Sequence, residues 1–330
     1  MPAAPDHWQF CLKILGQKPG FSGPETLGTH GPDPFFFFGQ VPWQKGINCS
    51  RVHDFAQWLH EAEPSAVFGP MVQAALDITH VSLRPLAFRF LKGFVYHYLL
   101  DRKIHPWVYW NAGFSTKNTI DPPSRIRHAC FEASLATLGP VPQKQGEPYS
   151  QNPRIMLNSE KIWLSSADVL FLKAFPERYV SGMYEDSFYD MRTVLQCIWD
   201  PLGIKRCIFD VLGLHNSLPR SMIQPVINRE FEQRDYRNSE HVQWLMPSTG
   251  TVQYESTGDL TQQALETALE AEKMIDDIEW DTGDSSTAGE KASAFVSFLG
   301  NLNHEGCAPG DEMKYWNKEF YNRSLASSAR

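Results

Sequence analysis

Residues 93–108 read GFVYHYLLDRKIHPWV. Apolar and aromatic residues recur here at three- and four-residue intervals, which predicts a buried helix. His97 and Asp101 are four residues apart, so both side chains project from one face of that helix. Phe90 and Phe94 continue the same face, so the polar pair points inward. Buried ionisable groups are costly unless they are paired or bind a metal, so the pair needs a structural or a functional reason.

A second pair has the same spacing. The segment RHACFEASL at 127–135 places His128 and Glu132 four residues apart in another predicted helix with apolar neighbours. Two inward pairs can supply imidazole nitrogens and carboxylate oxygens to divalent ions. Either pair alone is better explained as a buried ion pair or a hydrogen-bonded core histidine. Further candidate ligands upstream favour a metal site: His7, His30, Asp33 and His53.

Helical periodicity continues through most of the chain and decides the fold class. Helices are predicted over residues 6–15, 50–62, 66–80, 84–101, 124–138, 159–174, 183–199, 202–214 and 259–279. No alternating pattern of comparable strength predicts strands. The sequence therefore predicts an all-α protein with one multi-helix domain over residues 1–280.

Two segments are predicted to be irregular. Residues 16–39 are rich in Gly and Pro, and long loops of this kind are often functional. Residues 281–330 begin with the small, polar stretch DTGDSSTAGEK at 281–291, which predicts a flexible loop. The rest of 281–330 is expected to be a C-terminal helical extension, packed on the main domain or appended to it.

The overall charge excludes some partners. The formal net charge of −8 argues against a large basic surface for duplex DNA or for an anionic membrane. It does not exclude a small anionic substrate, because bound divalent cations would reverse the local field. No window approaches the roughly 18–20 apolar residues that a membrane span needs, and the first residues lack a secretory signal. We therefore expect a cytoplasmic protein without a transmembrane segment.

Several motifs together resemble a known family. They are PDHWQF at 5–10, GTHGPDPFFFFG at 28–39, VHDF at 52–55, GFVYHYLLDRKIHPWVYW at 93–110 and RHACFE at 127–132. In this combination they resemble the zinc-dependent phospholipase C family, whose relatives include secreted bacterial phospholipases C and fungal single-strand nucleases. A weaker likeness, HVQWLMPSTG at 241–250, is similar to a segment of bacterial members. The resemblance implies an all-α fold with a cluster of zinc ions in a cleft.

The same resemblance implies a ligand set for two or three zinc ions. The first ion would be held by Asp33, His53, His97 and Asp101, with Asp101 bridging to a second ion that His7 would also bind. The third ion would be held by His105, His128 and Glu132.

The role of His105 also depends on Pro106. Proline restricts the residue before it, which predicts that the helix ends before Pro106 and that His105 swings toward His128 and Glu132. There it would complete the three protein ligands that a catalytic zinc usually has. The alternative is that His105 only caps the helix C-terminus.

The remaining histidines show no partner pattern. His30 could be a substrate contact or a cleft-wall residue, and an ordinary loop histidine is the simpler interpretation. Structural or surface positions are predicted for the others, His60, His80, His215, His241 and His304.

A multi-zinc site predicts hydrolysis of phosphate esters. Zinc neutralises the phosphate and lowers the pKa of water from 15.7 to roughly 7. We expect a phospholipase C-like phosphodiesterase that takes a small anionic phosphate ester or a phospholipid head group, with Asp33 as general base and Asp101 as bridging carboxylate. The alternatives are a single-strand nuclease or nucleotidase-like activity, and a non-catalytic protein in which zinc staples the helices.

Overall fold

The fold is built almost entirely from helices. The computed structural model describes residues 4–16, 23–41, 49–116, 121, 124–138, 161–200, 204–214, 224–225, 235–280 and 285–319. Within these ranges the chain is mostly helical, which confirms the all-α prediction. The helices there are α1 (Ala4–Leu15), α2 (Pro24–Gly28), α3 (Pro34–Phe37), α4 (Ser50–Glu61), α5 (Pro64–Leu76), α6 (Arg84–Ala112), α7 (Ser124–Leu138), α8 (Lys161–Ala174), α9 (Met183–Ile198), α10 (Ile204–Val211), α11 (Thr257–Glu279) and α12 (Ser285–Leu299).

Four two-residue strands accompany the helices in the part of the chain that the structure describes. β1 (Trp199–Asp200) pairs in parallel with β2 (Gln224–Pro225), and β3 (Trp244–Leu245) pairs antiparallel with β4 (Val252–Gln253). β2 contacts α7 and β3 contacts α6, so each pair lies against a helix. None of the helices in the described ranges is both long enough and apolar enough to cross a membrane.

The longest helix, α6, forms the centre of the fold. It contacts α1, α2, α5, α7, α8 and α11. Its 29 residues extend about 44 Å at 1.5 Å per residue. Most of its side chains are buried, including those of His97, Asp101 and His105. A helix that is covered on all sides has its polar residues fixed by packing, which makes α6 a rigid support for a site.

The prediction that this helix ends before Pro106 is wrong, because α6 continues to Ala112. Proline has no N–H, so the carbonyl of Arg102 cannot receive the usual helical hydrogen bond. The burial of the two turns that follow, including Trp107, outweighs this local cost. His105 therefore stays in the helix, one turn after Asp101 and on the same face.

The approach of α2 to α6 depends on two glycines. A Cβ on Gly28 would overlap the backbone of α6, and a Cβ on Gly93 would overlap the backbone of α2. Because no side chain separates the two backbones, the turn that follows α2 lies directly against His97. The segment predicted to be irregular, 16–39, thus contains two short helices, and its residues 17–22 lie outside the described ranges.

The C-terminal region is more helical than predicted. The predicted loop 281–291 is wrong over 285–291, which form the start of α12, while 281–284 lie outside the described residues. Phe295 and Leu299, four residues apart, are buried, and α12 packs against α5 and α11. Burial of this apolar face, which helical spacing permits, explains why the polar stretch continues a helix. The domain limit at residue 280 stays a prediction.

Candidate metal centre

Three groups of side chains bring their donor atoms close enough to hold metal ions. In each group the His nitrogens and carboxylate oxygens lie within 4.8 Å of one another. The two inner groups are His7 with His97 and Asp101, and Asp33 with His60 and His97; the outer group is His105 with His128 and Glu132. The inner groups share His97.

Helix α6 supplies the shared axis of the centre. His97, Asp101 and His105 follow one another at four-residue steps, so their side chains project from one face over two turns. α1 adds His7, α4 adds His60, α7 adds His128 and Glu132, and the turn between α2 and α3 adds Asp33.

Three of the histidines have the orientation that metal ligands need. His97 Nδ1 donates to the carbonyl of Thr29 at 2.9 Å, and His60 Nδ1 donates to that of Ala56 at 2.8 Å. His105 Nδ1 donates to the carbonyl of residue 304 at 2.8 Å. A hydrogen bond from one ring nitrogen to a carbonyl fixes the tautomer and leaves the other nitrogen free to bind a metal. In all three rings that other nitrogen, Nε2, is buried and makes no hydrogen bond.

The Asp101 carboxylate lies between the inner and the outer groups. Its Oδ2 is 3.0 Å from His97 Nε2, and its Oδ1 is 3.1 Å from His7 Nε2. Oδ1 also lies 3.9 Å from His105 Nε2. The His7 ring stacks on that of His97, with the centroids 3.9 Å apart. Asp101 thus presents different oxygens to different histidines, as a bridging carboxylate does.

These separations fit ligands that converge on a common ion. Asp33 Oδ1 lies 3.4 Å from His60 Nε2 and 3.6 Å from His97 Nε2. Zn–N and Zn–O bonds of 2.0–2.1 Å place the ligand atoms of a tetrahedral site about 3.3 Å apart. Asp33 Oδ1 and both Asp101 oxygens are buried and make no hydrogen bond of good geometry. Buried polar atoms are rarely left in this state, so the arrangement fits a bound cation.

The outer group is the more accessible one. His128 Nε2 is 2.8 Å from Glu132 Oε1, and His105 Nε2 is 3.9 Å from the same oxygen. The side chains of His128 and Glu132 are 20% and 12% exposed, whereas those of His97 and Asp101 are fully buried. The side of α7 is therefore the more exposed side of the centre.

Burial and charge set the protonation of the inner groups. Burial alone would lower the pKa of His97, but Asp101 and Asp33 raise that pKa to about 9. Burial lowers the pKa of His7, and it lowers the pKa of His105 to about 3. Burial would raise the pKa of Asp101, yet the surrounding histidines, His97 first, hold that pKa well below its ordinary value. Two buried carboxylates thus share the imidazolium of His97, and a divalent cation would balance their charge better.

One predicted ligand, His53, and one histidine not predicted as a ligand, His60, differ in where the structure places them. His53 lies outside the three groups, and its Nε2 donates to the carbonyl of Phe38 at 3.1 Å. His60 lies beside Asp33 instead, although the sequence predicted a structural or surface position for it. The two histidines are seven residues apart on α4, which places them on one face about 10 Å apart along the axis. The helical spacing that makes His53 a candidate ligand therefore applies equally to His60. Only the packing of α4 decides which of the two histidines lies beside Asp33. The other predicted ligands, His7, Asp33, His97, Asp101, His105, His128 and Glu132, all belong to the groups.

Two further histidines lie near the centre. His30 is buried beside Phe188, its Nδ1 makes no hydrogen bond, and burial lowers its pKa to about 4. His304, for which the sequence predicted a structural or surface position, is buried next to His60. The turn motif THGPD gave a signal for His30, whereas no local pattern marks His304. His80 and His241 are exposed as predicted, and His215 lies outside the described residues.

Compared with protein-family models, curated proteins and solved structures, the chain matches none of them. The resemblance to zinc-dependent phospholipases C therefore depends on the sequence motifs alone. The metal centre has to be judged by its own geometry.

Proposed function

We propose that the protein is a zinc-dependent hydrolase of phosphate esters and that a phosphodiester is its substrate class. One observation carries the proposal. Three histidines, His60, His97 and His105, are each fixed through Nδ1 on a backbone carbonyl, and each directs toward a carboxylate a buried Nε2 that makes no hydrogen bond of good geometry. That arrangement costs free energy in a protein whose site binds no cation, because the polar atoms stay unsatisfied.

The donor set favours zinc among the common divalent ions. Each group combines imidazole nitrogen with carboxylate oxygen. Calcium and magnesium prefer all-oxygen sites, whereas imidazole suits zinc and other transition metals. The two inner groups share His97, and Asp101 connects them to His105, so the ions would be close neighbours. Neighbouring ions suit phosphoryl chemistry.

The chain's own residues have distinct roles in the proposed reaction. Bound zinc would neutralise the phosphate and lower the pKa of water. Asp101 would connect the inner and outer groups, since its two oxygens face different histidines. Asp33 would accept a proton from the attacking water, because its carboxylate stays ionised: burial would raise its pKa, but His97 and His60 lower that pKa. The partly exposed outer group would admit the ester, with Tyr109 beside it at 5.0 Å from the His128 ring.

A non-catalytic zinc protein is the second candidate, and one observation favours it. Asp33, His60, His97 and Asp101 are all buried and could close a four-coordinate structural site among themselves. The outer group speaks against a purely structural role. Within the described residues it has three side chains, one fewer than a closed tetrahedral site needs, and two of them are partly exposed.

The test combines zinc content with hydrolysis. Protein reconstituted with zinc and freed of excess metal would be analysed by elemental mass spectrometry. The same sample would be assayed with bis(p-nitrophenyl) phosphate, p-nitrophenyl phosphate, phosphatidylcholine in mixed micelles and a single-stranded oligonucleotide. We expect two or three zinc ions and hydrolysis of a diester that a chelator abolishes.

Three outcomes separate the candidates. Zinc binding without hydrolysis of any ester would support the second candidate, the non-catalytic zinc protein. Absence of zinc would contradict both candidates. Hydrolysis of the oligonucleotide alone would assign the nuclease-like activity. His241→Ala, at an exposed position, is the control for the variants of the centre.

A further inference from the structure

The last residue of α12 and the segment that follows it cross the metal centre, and we call residues 299–307 the C-terminal strap. Arg102 donates to the carbonyl of Leu299 at 2.6 Å, and the Tyr98 hydroxyl donates to that of Leu302 at 2.6 Å. Farther along, the Tyr109 hydroxyl donates to Glu305 at 3.1 Å. Three side chains of α6 thus hold the strap along the helix face next to the metal groups.

The backbone of His304 connects the inner and the outer groups. Its N–H donates to the carbonyl of His60 at 3.2 Å, and its own carbonyl accepts from His105 Nδ1 at 2.8 Å. The second contact fixes the His105 tautomer and directs Nε2 toward Asp101 and Glu132. Partners of this kind behind a metal-binding histidine commonly affect metal affinity by 10–100-fold.

The side chain of His304 has no hydrogen-bond partner within the described residues. The residue is 1% exposed, and neither Nδ1 nor Nε2 makes a hydrogen bond. Its ring centroid lies 5.0 Å from that of His60 and 5.8 Å from that of His97. An apolar side chain of similar size would fill this position without leaving two polar atoms unsatisfied. The imidazole instead lies with both nitrogens unsatisfied beside two histidines of the inner groups.

We propose that His304 is part of the metal centre, although it lies in the C-terminal strap, far along the chain from the ligand motifs. Its carbonyl positions His105 in the outer group, and its imidazole offers one further nitrogen to the occupant of the inner groups. This inference rests on the metal binding of the proposed function, and it does not depend on hydrolysis.

The first test replaces the imidazole. His304→Leu removes both nitrogens and keeps a buried side chain of similar size. We expect the metal-free variant to be as thermally stable as the wild type or more stable, because two unsatisfied buried atoms are lost. Zinc affinity, measured by chelator competition, should fall by about 10–100-fold, and the visible spectrum of the cobalt-substituted protein should change.

A merely structural histidine would give the opposite result. The metal-free variant would then be less stable, while zinc affinity and the cobalt spectrum would be those of the wild type. That outcome would overturn the inference. His80→Leu, at an exposed position, controls for the substitution itself.

The second test displaces the strap without changing a ligand. Gly306 has φ +73°, and a Cβ there would lie 2.6 Å from Pro106 Cγ and 2.8 Å from the Arg102 carbonyl oxygen. Gly310 has φ +83°, but no atom lies within 4 Å of its Cβ position. Both alanine variants carry the same backbone strain, so only Gly306→Ala should push the strap away from α6. We expect zinc affinity to fall about tenfold or more in Gly306→Ala relative to Gly310→Ala.

The failures of the two proposals can be told apart. If the wild type binds zinc, and both His304→Leu and Gly306→Ala bind it equally well, this inference alone is wrong. If the wild type binds zinc and both variants bind it more weakly, but the wild type hydrolyses no ester, the inference stands and the proposed hydrolase activity is wrong. If the wild type binds no zinc, both are wrong.

Discussion

The inner groups and the outer group use the same side-chain types in different surroundings. His97 and Asp101 are fully buried, whereas His128 is 20% exposed. The inner groups are assembled from α1, α4, α6 and the turn after α2, while the described part of the outer group comes from α6, α7 and the backbone of the strap. An ion in the inner groups would therefore stabilise the fold, and an ion in the outer group would stay accessible to a substrate.

Charge sharpens the difference between the two regions. The inner groups bury two carboxylates against the imidazolium of His97, and an imbalance of charge is expensive in a buried site. The outer group has one carboxylate, Glu132, which is partly exposed to water. Removal of the metal should consequently destabilise the inner groups more than the outer group.

The largest effect is expected from Asp101→Asn, which removes the charge that faces both regions. Zinc affinity should fall by at least about a hundredfold, which corresponds to roughly 3 kcal/mol, the cost of breaking a buried charge pair. Chelator competition measures the affinity, and the shift of the melting temperature on addition of a chelator should shrink in the variant. Asp54→Asn, at an exposed position of α4, is the matched control. Wild-type affinity in Asp101→Asn would show that this carboxylate binds no ion.

The next effect distinguishes two histidines on one helix face. His60→Ala should lose about one zinc equivalent and part of the thermal stability, because it removes an inner ligand. His53→Ala should keep the zinc content of the wild type, since its Nε2 is bonded to the Phe38 carbonyl. Elemental analysis of the two purified variants decides between them. Loss of zinc in His53→Ala, with retention in His60→Ala, would restore the ligand set implied by the sequence motifs.

A smaller loss of stability, with a complete loss of activity, is expected for His128→Ala. The variant removes one of three outer ligands and leaves His7, His60 and His97 in place. About one zinc equivalent should be lost, diester hydrolysis should disappear, and the melting temperature should still respond to a chelator. If His128→Ala lost every zinc ion, the two regions would bind metal as one unit and the distinction drawn between them would be wrong.

The smallest effect concerns the pH dependence of the metal-free protein. Burial lowers the pKa of His30 to about 4, against an opposing effect of Asp33 and with smaller contributions from His7 and His97. Because the unfolded chain binds this proton more readily, the neutral ring stabilises the fold above about pH 6.5, and that contribution is lost as the pH falls toward 4. The contribution of His97 to stability depends on pH in the opposite direction, since it is lost as the pH rises through about 9.

His30→Leu isolates this contribution. The slope of unfolding free energy against pH between 6.5 and 4 should flatten by up to about 3 kcal/mol over the window, measured by denaturant unfolding in the presence of a chelator. An unchanged slope in His30→Leu would mean that the ring is protonated in the folded protein.

The sequence by itself determined the helices and the ligand pairs that lie within one helix. Periodicity predicted α4, α7 and α11 to within two residues of their ends, and it predicted where α6 begins but not that α6 continues to Ala112. Four-residue spacing predicted that His97 with Asp101 and His128 with Glu132 point inward. These inferences hold because a helix repeats over a few residues, so local spacing fixes which side chains share a face.

Only the tertiary structure decided the rest. His53 and His60 satisfy the same local pattern, and the packing of α4 against the turn of Asp33 chooses between them. Pro106 predicts a helix end, yet the core keeps α6 helical to Ala112. His304 reaches His105 across 199 residues of chain. No spacing rule encodes such contacts, because they arise when separate helices bury their apolar faces against one another and thereby bring distant segments together.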